Sequence, residues 1–431
     1  MKKKMTALFY VLLIVFPLFA EIDSLRLETE YVIRDSVDNT GNLYIQAWSQ
    51  HPSVFTLVNS DGSVTVSVAD EGRKVSHVYE FSMDLQLEET LVMENVFNTL
   101  GAFTKDEEGN YYFFFAENSS NRNTENMAMV KYSPQGDKLN EYRLIASPPN
   151  SFSGVRVPFN AGTSRLELSG SMLAVYFSRE MFDGHQASYG FVLDKDTFER
   201  VDTGAATNAN RTGSISQMPY VSHSFNQFIL PIEGGFVFAD HGDAYPRSFT
   251  FARFLRGYQS RRVHAFVFPG SLGANPTYAG MGGLAKTQNG YIFAGTYGRI
   301  LNNPRDLFVL TIDEEMERCS DPIYLTRYTR DEGHAGHPKL VELDEGRYLL
   351  LWELFSFSTQ PANQINRAPS GYRSTFMAVV DERGSLLSDK KELPGLRLNM
   401  NDVLRYNRHN GKVYWTINDT GNSITVYALS I

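Results

Sequence analysis

Pro338-Lys339-Leu340-Val341-Glu342-Leu343, then Asp344-Glu345-Gly346, then Arg347-Tyr348-Leu349-Leu350-Leu351-Trp352-Glu353: this stretch decides the fold. Two runs rich in branched and aromatic residues flank an acidic turn with a glycine, the signal of a β-hairpin. A polar loop follows. Thr375–Val380 then reads as a third strand, Asp381-Glu382-Arg383-Gly384 as a second turn, and Leu386–Leu393 as a fourth strand. One four-stranded sheet cannot cover both of its faces, so the chain must supply neighbours.

The neighbours are legible at the inner hairpin. Turns centred on Gly62, Gly109, Gly170, Gly235, Gly290, Gly346 and Gly411 each precede an apolar strand. These strands are Ser63–Val68, Tyr111–Ala116, Met172–Phe177, Phe236–Ala239, Tyr291–Gly295, Tyr348–Trp352 and Val413–Ile417. The turns recur at intervals of 47 to 65 residues. Third strands follow at Met127–Tyr132, Tyr189–Leu193 and Leu307–Ile312. No segment carries a helical period. The last unit has three strands, Asp402–Tyr406, Val413–Ile417 and Ser423–Leu429, so Leu25–Ile33 is expected to complete it and remove an open edge.

Seven such units predict an all-β protein built as a β-propeller of four-stranded blades, closed by the N- and C-terminal strands. The hairpin from Asp38 to Trp48 leaves eight blades as the alternative. The chain resembles the seven-bladed β-propeller class over residues 24–431. Gly234-Gly235 and Gly282-Gly283 are similar to the paired glycines of kelch repeats, but the other blades lack them. No repeated Trp-Asp pair and no Asp-rich sialidase turn is present.

Residues 1–20 read as a signal peptide: Lys2-Lys3-Lys4, the apolar run Ala7–Phe19, and Ala20 before Glu21. An uncleaved anchor is the alternative. Residues 21–431 are then one exported domain, periplasmic or secreted, expected to be a monomer. No later segment is apolar enough to span a bilayer. Cys319 is the only cysteine, which rules out an intramolecular disulfide. The net charge of −9 disfavours nucleic acid as a partner. The chain holds no G-x-S-x-G, no H-E-x-x-H, no phosphate loop and no EF-hand loop.

Propeller geometry sorts the polar residues. Loops before a first strand and after a second strand emerge at the same end of a blade. His223 precedes a first strand, as do His334 and His337; Asp183, His185 and Gln186 fall between second and third strands, as do Asp240, His241, Asp243 and Arg247. Five of the nine histidines thus belong to one face, and at least three are expected to converge at the channel mouth. Glu117, Glu180, Glu353 and Asp419 end second strands on that side.

Three readings follow. The face binds a polar small molecule, a glycan or a peptide, with no cofactor. Alternatively, His223, His334 and His337 hold a divalent metal, since imidazole and carboxylate suit such ions. That arrangement resembles, in residue types, an oligogalacturonate-lyase-like propeller, and the resemblance implies a metal-dependent lyase or hydrolase of polysaccharide. In the third reading the polar residues bond loop backbone. Arg247 suits a carboxylate clamp or an ion pair with Asp240 or Asp243. Asp240 and His241 are neighbours on a strand and should point to opposite sides. Trp48, Trp352 and Trp415 are expected between blades.

Overall fold

The computed structural model describes residues 27–33, 54–148, 153–160, 162–202, 218–257, 261–273, 277–298, 303–344, 346–357, 371–398, 403–418 and 424–431. Among them there are 28 strands and no helix. Residues 1–20, the segment from Asp38 to Trp48 and Asp419, all named in the sequence reading, lie outside the described residues.

The N-terminal strand is β1 (Leu27–Ile33). Blade 1 comprises β2 (Val54–Val58), β3 (Val64–Asp70), β4 (Val75–Phe81) and β5 (Leu87–Glu94). Blade 2 comprises β6 (Thr99–Lys105), β7 (Tyr111–Ala116), β8 (Glu125–Tyr132) and β9 (Lys138–Ile145). Blade 3 has a divided inner strand, β10 (Val157–Pro158) and β11 (Ser164–Ser169), then β12 (Met172–Glu180) and β13 (Gln186–Asp194). Its outer strand is reduced to a bridge between Leu193 and Arg200. Blade 4 comprises β14 (Ser222–Ile232), β15 (Gly235–Ala244), β16 (Arg247–Leu255) and β17 (Arg261–Val267). Blade 5 comprises β18 (Ala279–Thr287), β19 (Gly290–Tyr297), β20 (Asp306–Asp313) and β21 (Ile323–Tyr324). Blade 6 comprises β22 (His334–Asp344), β23 (Arg347–Phe355), β24 (Tyr372–Asp381) and β25 (Lys391–Leu393). Blade 7 comprises β26 (Arg405–Asn407), β27 (Lys412–Asn418), β28 (Ile424–Ser430) and, outermost, β1.

The chain is a β-propeller, and its packing explains why. Second strands such as Tyr111–Ala116 and Tyr348–Trp352 are buried on both sides, because each sheet lies between two others. One cluster joins Val78, Phe113, Phe115, Phe177 and Phe191 across blades 1 to 3. Others join blades 3 and 4 through Tyr176 and Phe238, and blades 4 and 5 through Phe251 and Phe293. Trp352 fills the junction of blades 5 and 6, Trp415 that of blades 6 and 7, as expected for both. Val66, Tyr79 and Val426 bring the series back from blade 7 to blade 1. Each large apolar side chain buried this way stabilises by roughly 1.5–3 kcal/mol.

First strands are innermost: β2, β6, β11, β14, β18, β22 and β26 each contact the next, and β26 contacts β2. The two ends of the chain meet where the sequence placed them, with β1 antiparallel to β28 from Leu27↔Leu429 to Ile33↔Ile424. The inner turns also fall where expected. Gly62, Gly109, Gly170, Gly346 and Gly411 hold positive φ, and in blade 4 Gly234 rather than Gly235 takes that role.

One strand is shorter than its sequence suggests. Leu386 makes a single bridge to Val380, and pairing resumes only at Lys391. In between, the Ser388 hydroxyl takes the backbone N–H of Val379, the donor that a continuous strand would have used.

Candidate functional site

The site is built at strand ends, and those strands run further than apolar periodicity implies. Asp240, His241 and Asp243 are not loop residues: β15 continues to Ala244, and Tyr245-Pro246 alone makes the turn to Arg247. Likewise His223 lies within β14, His334 and His337 within β22, and Gln186 begins β13 opposite Glu180. The apolar run stops at Ala239, but pairing survives because the polar side chains find partners inside the protein. Asp240 accepts from the Tyr176 hydroxyl at 2.7 Å and the Ser224 hydroxyl at 2.8 Å. His241 Nε2 lies 2.7 Å from the Thr277 hydroxyl, among Phe225, Phe249 and Phe268. The two side chains therefore leave opposite sides of β15 and do not form an acid–base pair, in agreement with strand alternation.

A single backbone pair, Ala187↔Ser222, stitches blade 3 to blade 4 and brings two histidines together. His185 Nε2 lies 2.7 Å from the Ser222 hydroxyl. Its ring centroid is 4.8 Å from that of His223. His223 Nδ1 stands 2.8 Å from Asp243 Oδ1, and Arg247 Nη1 is 3.7 Å from Asp243 Oδ2. Arg247 also donates Nε–H to the Pro269 carbonyl at 3.1 Å. Exposed Asp183 caps the turn by accepting the His185 backbone N–H. Asp243 is fully buried, whereas the side chain of His223 is 23% exposed, so the imidazole is the group that reaches the surface. Burial lowers the pKa of His185, and the neighbouring His223 adds to the effect.

In blade 6 a second cluster forms. His337 Nδ1 lies 2.5 Å from Glu353 Oε2. Glu353 Oε1 accepts from Arg397 Nε at 2.8 Å and from the Leu398 backbone N–H at 3.0 Å. The Arg397 guanidinium lies 4.1 Å from the centre of the Tyr372 ring. Burial pushes the Glu353 carboxyl up, but His337 and Arg397 outweigh it and hold the pKa below the ordinary value.

His334 and His241 are interior groups. Burial, with the nearby Arg305 guanidinium, lowers His334 to about 3. Burial, Arg305 and Arg247 lower His241 to about 3. Burial raises Asp240 to about 7 against the hydrogen bonds from Tyr176, Ser224 and Gln227.

All five histidines sit at the same end of their sheets, but as two groups and two buried rings rather than one convergent set. His185 and His223 are in ring contact; His337 is bound in its own blade. Among the described residues no three His, Cys, Asp or Glu side chains stand where they could hold a metal. His223, His334 and His337 have separate surroundings. Ser222, Thr277, Arg305 and Arg397 were not singled out in the sequence. Ser222 adjoins His223, but Arg397 follows an unremarkable Pro394-Gly395 turn and offered no signal. The opposite end of the propeller carries a cavity of about 520 Å³ lined by Asp61, Asp106, Glu107, Glu108, Glu167 and Arg405. Both cations that line it are already paired, Arg405 with Glu167 at 2.8 Å and Lys105 with Glu80 at 2.9 Å.

No protein-family model matches the chain, and no curated protein matches it in sequence. Solved structures similar to it include an ulvan lyase, described as a new family of polysaccharide lyase. It shares 10% identity over 80% of this chain and 81% of that one, with a TM-score of 0.46. The β-propeller domain of the trilobed protease from Pyrococcus furiosus shares 8% over 78% and 80%, with a TM-score of 0.39. A protein of unknown function from Dyadobacter fermentans shares 10% over 84% and 100%, with a TM-score of 0.43. At this distance they carry no argument about activity.

Proposed function

We propose that the chain is an exported binding protein that takes a polar ligand, a small molecule, glycan or peptide, at the end of blades 3 and 4 where His185, His223, Asp243 and Arg247 meet. The supporting observation is the partly exposed His223 imidazole set against a buried Asp243–Arg247 pair and a second histidine. A buried carboxylate and guanidinium hold the imidazole in one orientation, which lowers the entropy a ligand must overcome. Exposed Tyr245 stands on the adjoining turn and supplies an apolar face with a polar tip. The acidic body keeps nucleic acid out of this reading, and export rests on residues 1–20.

The test is a thermal-shift screen of the mature chain against glycan and peptide panels, repeated with His223→Ala and Arg247→Ala. A ligand that stabilises the native chain and loses that effect in both variants supports the reading. A ligand that binds all three proteins equally would place recognition elsewhere. Amino-terminal sequencing of the exported product tests the signal segment.

A further inference from the structure

His223 and His337 are built alike, although they lie on different blades. Each presents Nδ1 to a buried carboxylate on the second strand of its own sheet, at 2.8 Å from Asp243 and 2.5 Å from Glu353. Each carboxylate is backed by a guanidinium, Arg247 or Arg397. Each histidine adopts positive φ, 50° and 45°, which is uncommon for a residue with a Cβ. Each adjoins a register shift in a first strand, between Ser224 and Gln227 or between Gly336 and Lys339. Bulges of this kind re-aim side chains beside binding sites. The same left-handed station recurs at Phe159 ahead of β11 and at Tyr278 ahead of β18. Phe159 is buried in the core, so three successive blades bring His, Tyr and His toward the surface at this station.

A structural role places Nδ1 of His337 in a hydrogen bond with Glu353 and Nδ1 of His223 in contact with Asp243, but gives Nε2 of neither ring a partner. Nε2 of His337, on a side chain that is 11% exposed, meets no hydrogen-bond partner. No group among the described residues hydrogen-bonds Nε2 of His223.

We propose that His223 and His337 are two stations of one extended binding face whose ligand is a linear oligosaccharide. This rests on the binding function assigned above to the His223 cluster. With Nδ1 engaged by a carboxylate, Nε2 accepts a hydrogen bond when the ring is neutral and donates one when it is protonated. A hydroxyl serves both states from a single atom, whereas a peptide must offer its N–H to the first and its carbonyl to the second. Blade 5 separates the two stations, with half-buried Tyr278 between them, so a ligand that reaches both is an extended chain, and a chain of sugars presents a hydroxyl to each.

The probes are linear oligosaccharides of two to eight sugars, neutral and uronic, with hexapeptides as the competing class. Binding to the mature chain is followed by calorimetry and by the ring resonances of ¹⁵N-labelled histidines. A disaccharide is expected to shift His223, and a longer member of the same series to shift both rings and bind about tenfold more tightly. His337→Gln should flatten that length dependence; the ring shifts in the unaltered chain report the same point if the variant does not fold. If His223 responds and His337 stays still at every length, the second station is wrong while the binding face stands. If sugars bind and neither ring moves, both readings fall. If only the hexapeptides bind, the oligosaccharide class is overturned.

Discussion

Thr56 in β2 and Thr416 in β27 are 360 positions apart, yet their buried hydroxyls share a hydrogen bond of 2.5 Å. Arg405 of β26 reinforces the junction, donating Nε–H to the Thr56 carbonyl and pairing through Nη2 with Glu167 of blade 3. The first and last blades are thus joined by side chains at the centre and by the β1–β28 ladder at the rim.

Removing residues 21–33 should therefore strip the outer strand from blade 7 and bare the edge of β28. Open edges pair with other chains. A broader melting transition and larger species on size exclusion are expected; an unchanged melt from a monomeric deletion variant would show that β1 is dispensable.

Glu353→Ala removes the acceptor for His337, Arg397 and the Leu398 N–H at once. Breaking a buried pair and leaving the Arg397 guanidinium unmatched costs about 3–5 kcal/mol. Urea unfolding at pH 7 measures this directly. A loss within about 0.5 kcal/mol, ordinary for a surface change, would contradict the buried network.

Stability should depend on pH in a way that separates Asp240 from the buried histidines. His241 and His334 titrate near 3 in the folded protein and near 6.5 when unfolded, so their contribution is complete above pH 6.5 and is lost as pH falls toward 3. Asp240 titrates near 7 folded against 3.8 unfolded, so its contribution is complete below pH 3.8 and is lost as pH rises to 7. Between pH 4 and 6.5 the two effects oppose each other. Asp240→Asn should make stability fall more steeply on acidification by about 1.4 kcal/mol per pH unit, and His241→Gln should make it shallower by about the same amount. Parallel curves for all three proteins would refute these assignments.

Gly273 and Gly184 form a matched pair. Both hold left-handed φ, +73° and +81°, but a Cβ at Gly273 would lie 3.3 Å from His223 Cε1, whereas one at Gly184 meets nothing within 4 Å. Each Ala variant should lose about 1–2 kcal/mol from backbone strain. Only Gly273→Ala should also shift the His223 ring resonances. Identical histidine spectra would mean that the loop yields without touching the ring.

The propeller was legible in the sequence because its signals are local. A glycine that can take positive φ, followed by a strand apolar on both sides, marks each second strand from Val64–Asp70 to Lys412–Asn418. The last unit reads as three strands, which pointed to Leu25–Ile33 as its fourth, since an unpaired edge must be covered. Which end of the blades carries the histidines also follows from strand count alone. Tertiary structure decided the rest. Apolar periodicity ends at Ala239, so nothing local indicates that Asp240, His241 and Asp243 remain in the ladder; their partners Tyr176, Ser224 and Thr277 come from elsewhere in the chain. His185 meets His223 only because Ala187 pairs with Ser222 across two blades. Arg397 reaches Glu353 from 44 positions away. Secondary structure is set by neighbours along the chain, whereas a site is set by which neighbours packing brings together.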